Sequence, residues 1–149
     1  MFRFDLRQVE LQMPSVFSSK RVVRFNDIDA AGVVYFARIL EYCHELYEDW
    51  LTSLEMPLSR VLGERLWIAP LRHAEADFKS PLRLGDEMQL DLVLGEIQET
   101  GELTLLFRLQ VGTRLCASAQ TVHCFLSAAE RKRIAVPDVI VNALRAAGV

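Results

Sequence analysis

The feature that most constrains the fold is a long helical pattern between residues 33 and 54. In VVYFARILEYCHELYEDWLTSL, apolar residues recur at the three- and four-residue spacing of one helix face. Charged residues such as Glu41, Glu45 and Glu48 occupy the opposite face. A stripe this long and this apolar predicts a helix at the centre of the core, so the rest of the chain must pack around it.

The segments on either side of this helix alternate apolar and polar residues, which is typical of strands. One strand is predicted before the helix and four after it, at residues 16–25, 66–79, 86–98, 102–111 and 114–127. Short breaks at 99–101 and 112–113 predict hairpin turns. We therefore predict an α+β fold, with an antiparallel sheet wrapped around one long central helix and the four later strands forming a meander. Residues after Pro137 predict a short C-terminal helix.

Chain length, net charge and cysteine count restrict the class of protein. A chain of 149 residues fits a single domain, and a formal net charge of −3 excludes a large basic surface for nucleic acid. The three cysteines lack CxxC spacing, which argues against a disulfide framework or a zinc site and favours a reduced, cytoplasmic setting.

Two further expectations concern membranes and assembly. No signal peptide and no apolar run long enough to span a membrane are present in the sequence. The predicted sheet has open edges and a second face that needs a cover, so we expect a homo-oligomer, either a dimer or a tetramer. Residues 1–15 form an N-terminal extension to which the sequence assigns no role.

The segment FNDIDAAGVVYF places two acids directly before the predicted helix. One interpretation is that Asp27 or Asp29 caps the helix N-terminus. The other is chemical: free N–H groups at the helix end polarise a carbonyl oxygen, while a carboxylate attacks the carbon or activates a water. No GxSxG motif and no Ser-His-Asp set accompany the two acids. Spacing alone leaves both interpretations open.

The same turn and helix resemble the 4-hydroxybenzoyl-CoA thioesterase type of hotdog-fold proteins. The likeness continues through PLRHAEADFKSPLRLGDEM, ASAQTVHCFL and ERKRIAVP, and covers roughly residues 20–137. Within that family, GVVYF, CHELYEDWL and LRHAEADF are most similar to the subgroup that acts on 1,4-dihydroxy-2-naphthoyl-CoA. This implies hydrolysis of that aromatic acyl-CoA in phylloquinone or menaquinone biosynthesis. A thioesterase of broad, short-chain or 4-hydroxybenzoyl specificity, and a non-catalytic acyl-CoA-binding protein, remain as alternatives.

The resemblance also implies roles for the residues of the acid motif. Asp29 matches the catalytic carboxylate, acting as nucleophile or general base, while Asp27 holds the turn. The backbone of Gly32, Val33 and Phe36 matches the helix end that faces the thioester oxygen.

Further positions are expected to bind the substrate. His73, Trp67 and Tyr35 are candidates for contact with the aromatic acyl group. The basic run Arg131, Lys132 and Arg133 is the candidate for the CoA phosphates, because Arg and Lys suit phosphate oxygens; Lys79 and Arg83 are weaker candidates. No metal and no cofactor are expected, since CoA is part of the substrate.

Overall fold

The computed structural model describes all 149 residues of the chain. Its three helices are α1 (Phe36–Ser53), α2 (Leu58–Gly63) and α3 (Asp138–Ala146). Its five strands are β1 (Phe17–Val22), β2 (Leu71–Phe78), β3 (Glu87–Gln98), β4 (Glu102–Val111) and β5 (Arg114–Cys124). No helix is both long enough and apolar enough to cross a membrane.

All five strands form one antiparallel sheet in the order β1-β3-β4-β5-β2. Both hairpin turns are confirmed, and they join β3 to β4 and β4 to β5. The predicted four-strand meander is wrong, because β2 pairs with β5 and β1 takes the place beside β3. Alternation identifies a strand but carries no information about its neighbour, so this pairing could not be read from the sequence.

Helix α1 lies across one face of the sheet, as its apolar stripe predicts. Seven of its residues are buried: Ile39, Tyr42, Cys43, Leu46, Tyr47, Trp50 and Leu51. They pack against the inward-facing residues of the strands, which on β4 are Leu103, Leu105, Phe107 and Leu109. An antiparallel sheet wrapped around one long helix is therefore confirmed as the architecture.

Several elements are shorter than predicted, for reasons found in neighbouring segments. Helix α1 begins at Phe36 rather than Val33, because Val33 and Val34 pair with Arg83 and Ile28 in isolated bridges. Strand β2 begins at Leu71, after Pro70 interrupts the extended segment before it.

The outer face of the sheet, opposite α1, is covered within the chain by residues 1–13. Leu6 and Val9 pack there against Val93 and Leu106. The expectation that this face needs an external partner is therefore wrong, because an extension without sequence-level signals covers it.

Candidate active site

Asp29 begins a tight turn that projects its carboxylate into solvent beside a cavity. The Gly32 N–H donates to the Asp29 carbonyl oxygen at 3.0 Å, and the Asp29 N–H donates to the Val33 carbonyl oxygen at 2.9 Å. Gly32 has a φ of 79°, in the left-handed region that glycine adopts without steric cost. One carboxylate oxygen of Asp29 accepts the Ala31 N–H at 2.8 Å, while the other has no partner within the chain.

Asp27, two residues earlier, is buried and fully engaged. Its carboxylate accepts the Arg24 N–H at 2.9 Å and Nε of Arg38 at 2.9 Å. Burial would raise the pKa of this carboxyl, but these hydrogen bonds and the Arg38 charge outweigh it and hold the pKa below its ordinary value. The Asp27 carbonyl also accepts the Tyr35 N–H at 2.8 Å. Asp27 therefore fixes the turn, and Asp29 is the acid that faces outward.

The start of α1 supplies the free N–H groups. Val34 donates to the Leu82 carbonyl oxygen at 2.8 Å, and Tyr35 donates to Asp27, so neither is available to a ligand. The N–H groups of Val33, Phe36 and Ala37 donate to no acceptor within the chain. Gly32 was expected to contribute its backbone here, but its N–H is held by Asp29. The unpaired donors at the positive end of an 18-residue helix are suited to binding a carbonyl oxygen or an oxyanion.

A cavity of about 370 Å³ connects these groups. Asp29, Val33 and Phe36 form one wall, and the segment after β2 together with the first half of β5 forms the other, with Phe78, Lys79, Ser80, Pro81, Leu82, Cys116 and Ala117. The lining is mainly apolar, and two of its residues, Phe36 and Phe78, are 62% and 56% exposed. The cavity can therefore hold an apolar acyl group next to a carboxylate and a helix N-terminus.

Of the three residues expected to contact the aromatic acyl group, only Tyr35 lies beside this cavity. Tyr35 is exposed, and its ring centroid lies 4.7 Å from that of Phe36, beside the cavity. Trp67 is buried edge-on against Phe125 and lines a different cavity, of about 300 Å³, with Tyr47. Eleven residues of α1 separate Phe36 from Tyr47, or about 16 Å at the rise of an α-helix. Trp67 therefore does not reach the Asp29 cavity of its own chain.

His73 is also separate from this cavity, because it lies on the outer face of the sheet. Its ring nitrogens lie 3.1 Å from Oε2 of Glu75 and 3.2 Å from the Arg3 guanidinium. Successive strand residues point to opposite faces, so Phe78 at the end of the same strand is on the α1 side. Within one chain, His73 has no contact with the acid motif.

The basic run after β5 lies at the far end of the sheet. Lys132 pairs with Glu130 at 3.1 Å, and Arg133 with the buried Glu102 at 3.6 Å. The run follows the Cys124 end of β5, whereas Ala117 lines the cavity, and these residues are about 23 Å apart along an extended strand. Arg131, Lys132 and Arg133 therefore do not reach the Asp29 cavity of their own chain.

The basic residues beside the cavity are Lys79 and Arg83, which the sequence analysis gave as the weaker candidates for the CoA phosphates. Lys79 lines it, with Nζ 2.9 Å from Oδ2 of Asp77, and Arg83 pairs with Val33 at its edge. The sequence analysis missed Phe78, Ser80 and Cys116 as lining residues. The one sequence signal for this wall was the Ser80-Pro81 break, which ends the preceding strand beside the cavity. Cys116 is a free thiol whose pKa is raised by burial, so it stays protonated in the wall.

Comparison with known proteins gives consistent results. The model of the thioesterase-like superfamily matches residues 23–144. The 1,4-dihydroxy-2-naphthoyl-CoA hydrolase of Synechococcus elongatus is 36% identical over 123 residues, which are 82% of this chain and 90% of that protein. The one from Nostoc punctiforme is 37% identical over 127 residues, covering 85% of this chain and 84% of that protein. The crystal structure of a 1,4-dihydroxy-2-naphthoyl-CoA thioesterase from Synechocystis superposes with a TM-score of 0.80 at 32% identity, covering 87% of this chain and 95% of the other.

Proposed function

Because the chain belongs to the thioesterase-like superfamily, we propose that it hydrolyses 1,4-dihydroxy-2-naphthoyl-CoA to the free acid and CoA. The hotdog thioesterase family expected from the acid motif is thereby confirmed. The observation that carries the proposal is the juxtaposition at the cavity. Asp29 has one unpartnered carboxylate oxygen there, and Val33 and Phe36, which line the same cavity, have unpaired N–H groups.

In the proposed reaction, the helix end and the acid act on the two atoms of the thioester carbonyl. The N–H group of Phe36 at the start of α1 binds the oxygen, where the helix dipole stabilises the negative charge that develops. Asp29 supplies the attack on the carbon. Either its free oxygen adds directly, giving a mixed anhydride that water hydrolyses, or it takes a proton from an attacking water. Both routes expel CoA as a thiolate and consume one water per acid released.

An aromatic acyl group suits the walls of the cavity. The exposed rings of Phe36 and Phe78 offer faces and edges for stacking, and few polar groups line the space between them. The printed names of the relatives identify the naphthoyl thioester as the substrate of those proteins. We carry this substrate over to the chain and place the protein in the cytoplasm, in the synthesis of a naphthoquinone.

We also propose that the working unit is a homo-oligomer in which strand β2 pairs with its copy. β2 is an edge strand, and Leu71 and Phe78 at its two ends are 47% and 56% exposed. Antiparallel pairing about a two-fold axis sets the Leu71 end of one chain beside the Phe78 end of the other. Trp67 and the basic run after β5 lie near the Leu71 end, so they would serve the Asp29 cavity of the partner chain.

The experiment is to follow CoA release with a thiol reagent across a panel of acyl-CoA thioesters. The panel contains the 1,4-dihydroxy-2-naphthoyl, 4-hydroxybenzoyl, phenylacetyl and short aliphatic compounds. The parent protein is compared with Asp29→Asn, in which the amide oxygen keeps the Ala31 hydrogen bond. Asp138→Asn, at the exposed start of α3, is the control for loss of one negative charge. We expect turnover focused on the naphthoyl compound, with a loss of about 10²–10⁴-fold in Asp29→Asn alone.

Each other outcome excludes a defined part of the proposal. Equal turnover of all compounds would contradict the naphthoyl assignment and leave a thioesterase of broad specificity. Full activity in folded Asp29→Asn would show that this acid is only a cap. Tight binding of the thioesters without release of CoA would favour the non-catalytic alternative.

A further inference from the structure

The N-terminal extension is held on the outer sheet face by side chains of the sheet itself. Gln120 clamps one residue of it, accepting the Phe4 N–H and donating to the Phe4 carbonyl oxygen, both at 2.8 Å. Ser118 donates to the Leu6 carbonyl oxygen at 3.0 Å, and Thr104 donates to that of Phe2 at 3.0 Å. All of these hydrogen bonds are made to backbone atoms of the extension. We call residues 1–13 the strap.

Two apolar side chains of the strap enter a small cluster of their own. Leu6 and Val9 are only 8% and 4% exposed, and they cover Val93 and Leu106 of the sheet, which are 1% and 2% exposed. This cluster is separate from the main core around α1. Without the strap, these two apolar sheet residues would face water.

A buried ion pair lies next to this cluster. The Arg108 guanidinium is 2.7 Å from Oδ2 of Asp91, and both side chains are almost completely buried. The same guanidinium donates to the carbonyl oxygens of Glu10 at 2.6 Å and Met13 at 2.8 Å. The strap therefore accepts donors of Arg108 that would otherwise lack a partner, and it removes the pair from solvent.

We propose that the strap blocks the outer sheet face against a second copy of this chain, and so restricts assembly to other surfaces such as the β2 edge. The family match covers residues 23–144 and does not include the strap. The proposal concerns assembly alone and does not depend on the proposed reaction.

A second copy is the occupant that this face would select. The uncovered surface would present the apolar pair Val93 and Leu106 directly beside one acid and one base, Asp91 and Arg108. Such a surface is complementary to a second copy of itself, because a two-fold axis sets apolar area against apolar area and brings the acid and base of each copy to the same interface.

The test releases the strap without shortening the chain. Leu6→Asp combined with Val9→Asp places two carboxylates in the apolar cluster. Gln8→Asp, at a neighbouring exposed position, is the matched control. Release is measured as the rate of trypsin cleavage after Arg7, and assembly as the molar mass from light scattering. We expect cleavage to be more than about tenfold faster and the mass to rise about twofold in the double variant only.

Every result decides the proposal. Faster cleavage with an unchanged mass would show that the strap does not control assembly. Unchanged cleavage would show that Leu6 and Val9 do not hold it. If the double variant fails to fold, Gln120→Ala removes both hydrogen bonds to Phe4, together with the one to Glu75, and is judged by the same two measurements. Circular dichroism confirms folding in each variant. Neither cleavage nor molar mass measures thioesterase activity, so failure here is distinguishable from failure of the thioesterase assignment.

Discussion

Buried His123 predicts a loss of stability in mild acid that can be calculated from the structure. Its side chain is 2% exposed, its ring stacks on Tyr47 with centroids 4.6 Å apart, and Nε2 lies 3.1 Å from the Thr121 hydroxyl. Burial lowers the pKa of His123 to about 4, against the smaller opposing effect of the Ala69 carbonyl oxygen, which raises it.

The sign of the effect follows from proton binding in the two states. The unfolded chain binds a proton at His123 near the ordinary pKa of about 6.5, whereas the folded chain resists it until about pH 4. Stability from this residue is therefore complete above pH 6.5 and is lost as the pH falls toward 4. Between pH 7 and pH 5 the free energy of unfolding should drop by about 2 kcal/mol on this account.

The assay is urea unfolding of the parent and of His123→Gln at pH 7, 6 and 5. The variant should be less stable at pH 7, because it loses the ring stacking, but its pH dependence should be weaker by about 2 kcal/mol over this range. The difference in stability between parent and variant should therefore shrink toward pH 5. Parallel curves for the parent and His123→Gln would refute the reasoning, since they would mean that the buried imidazole does not titrate differently on unfolding.

Three further predictions concern residues around the two sites. Asp27→Asn should lower the free energy of unfolding by about 2–4 kcal/mol in urea titrations. The asparagine NH₂ group would replace one carboxylate oxygen, so it would face either the Arg24 N–H or the Arg38 guanidinium, both of which are donors. Gly32→Ala should cost about 1–2 kcal/mol in thermal unfolding from its positive φ alone, whereas Gly63→Ala within α2 should not destabilise the chain. Arg108→Ala should cost about 3–5 kcal/mol, and adding Asp91→Ala should recover part of this loss in a double-mutant cycle.

Local sequence patterns predicted the elements of this fold well. Apolar spacing located α1 to within three residues, and turn residues located both hairpins, because these signals act over a few neighbouring positions. The strand order was not predicted. Pairing of β2 with β5 joins segments about 45 residues apart, and nothing within either strand specifies the other.

The candidate site was predicted to a similar extent. The acid motif and its helix are adjacent in the chain, so Asp29 and Phe36 could be brought together from the sequence. The facing wall could not, since Phe78 and Cys116 reach the cavity only through the pairing of β2 with β5. Trp67 and the basic run were expected at the site, but the structure separates them from it within one chain. Their assignment now depends on the proposed pairing of two copies.

The distant wall also determines which N–H groups of the helix are free. From the sequence, α1 starts at Val33, and the first turn would offer donors from that residue onward. In the structure, the Leu82 carbonyl oxygen takes the Val34 N–H and Asp27 takes that of Tyr35, so the helix begins at Phe36. The segment after β2 therefore determines where α1 begins, and with it which N–H groups are free, and it also lines the cavity. The acid motif and the Ser80–Leu82 segment act as one unit, although about 50 residues separate them in the chain.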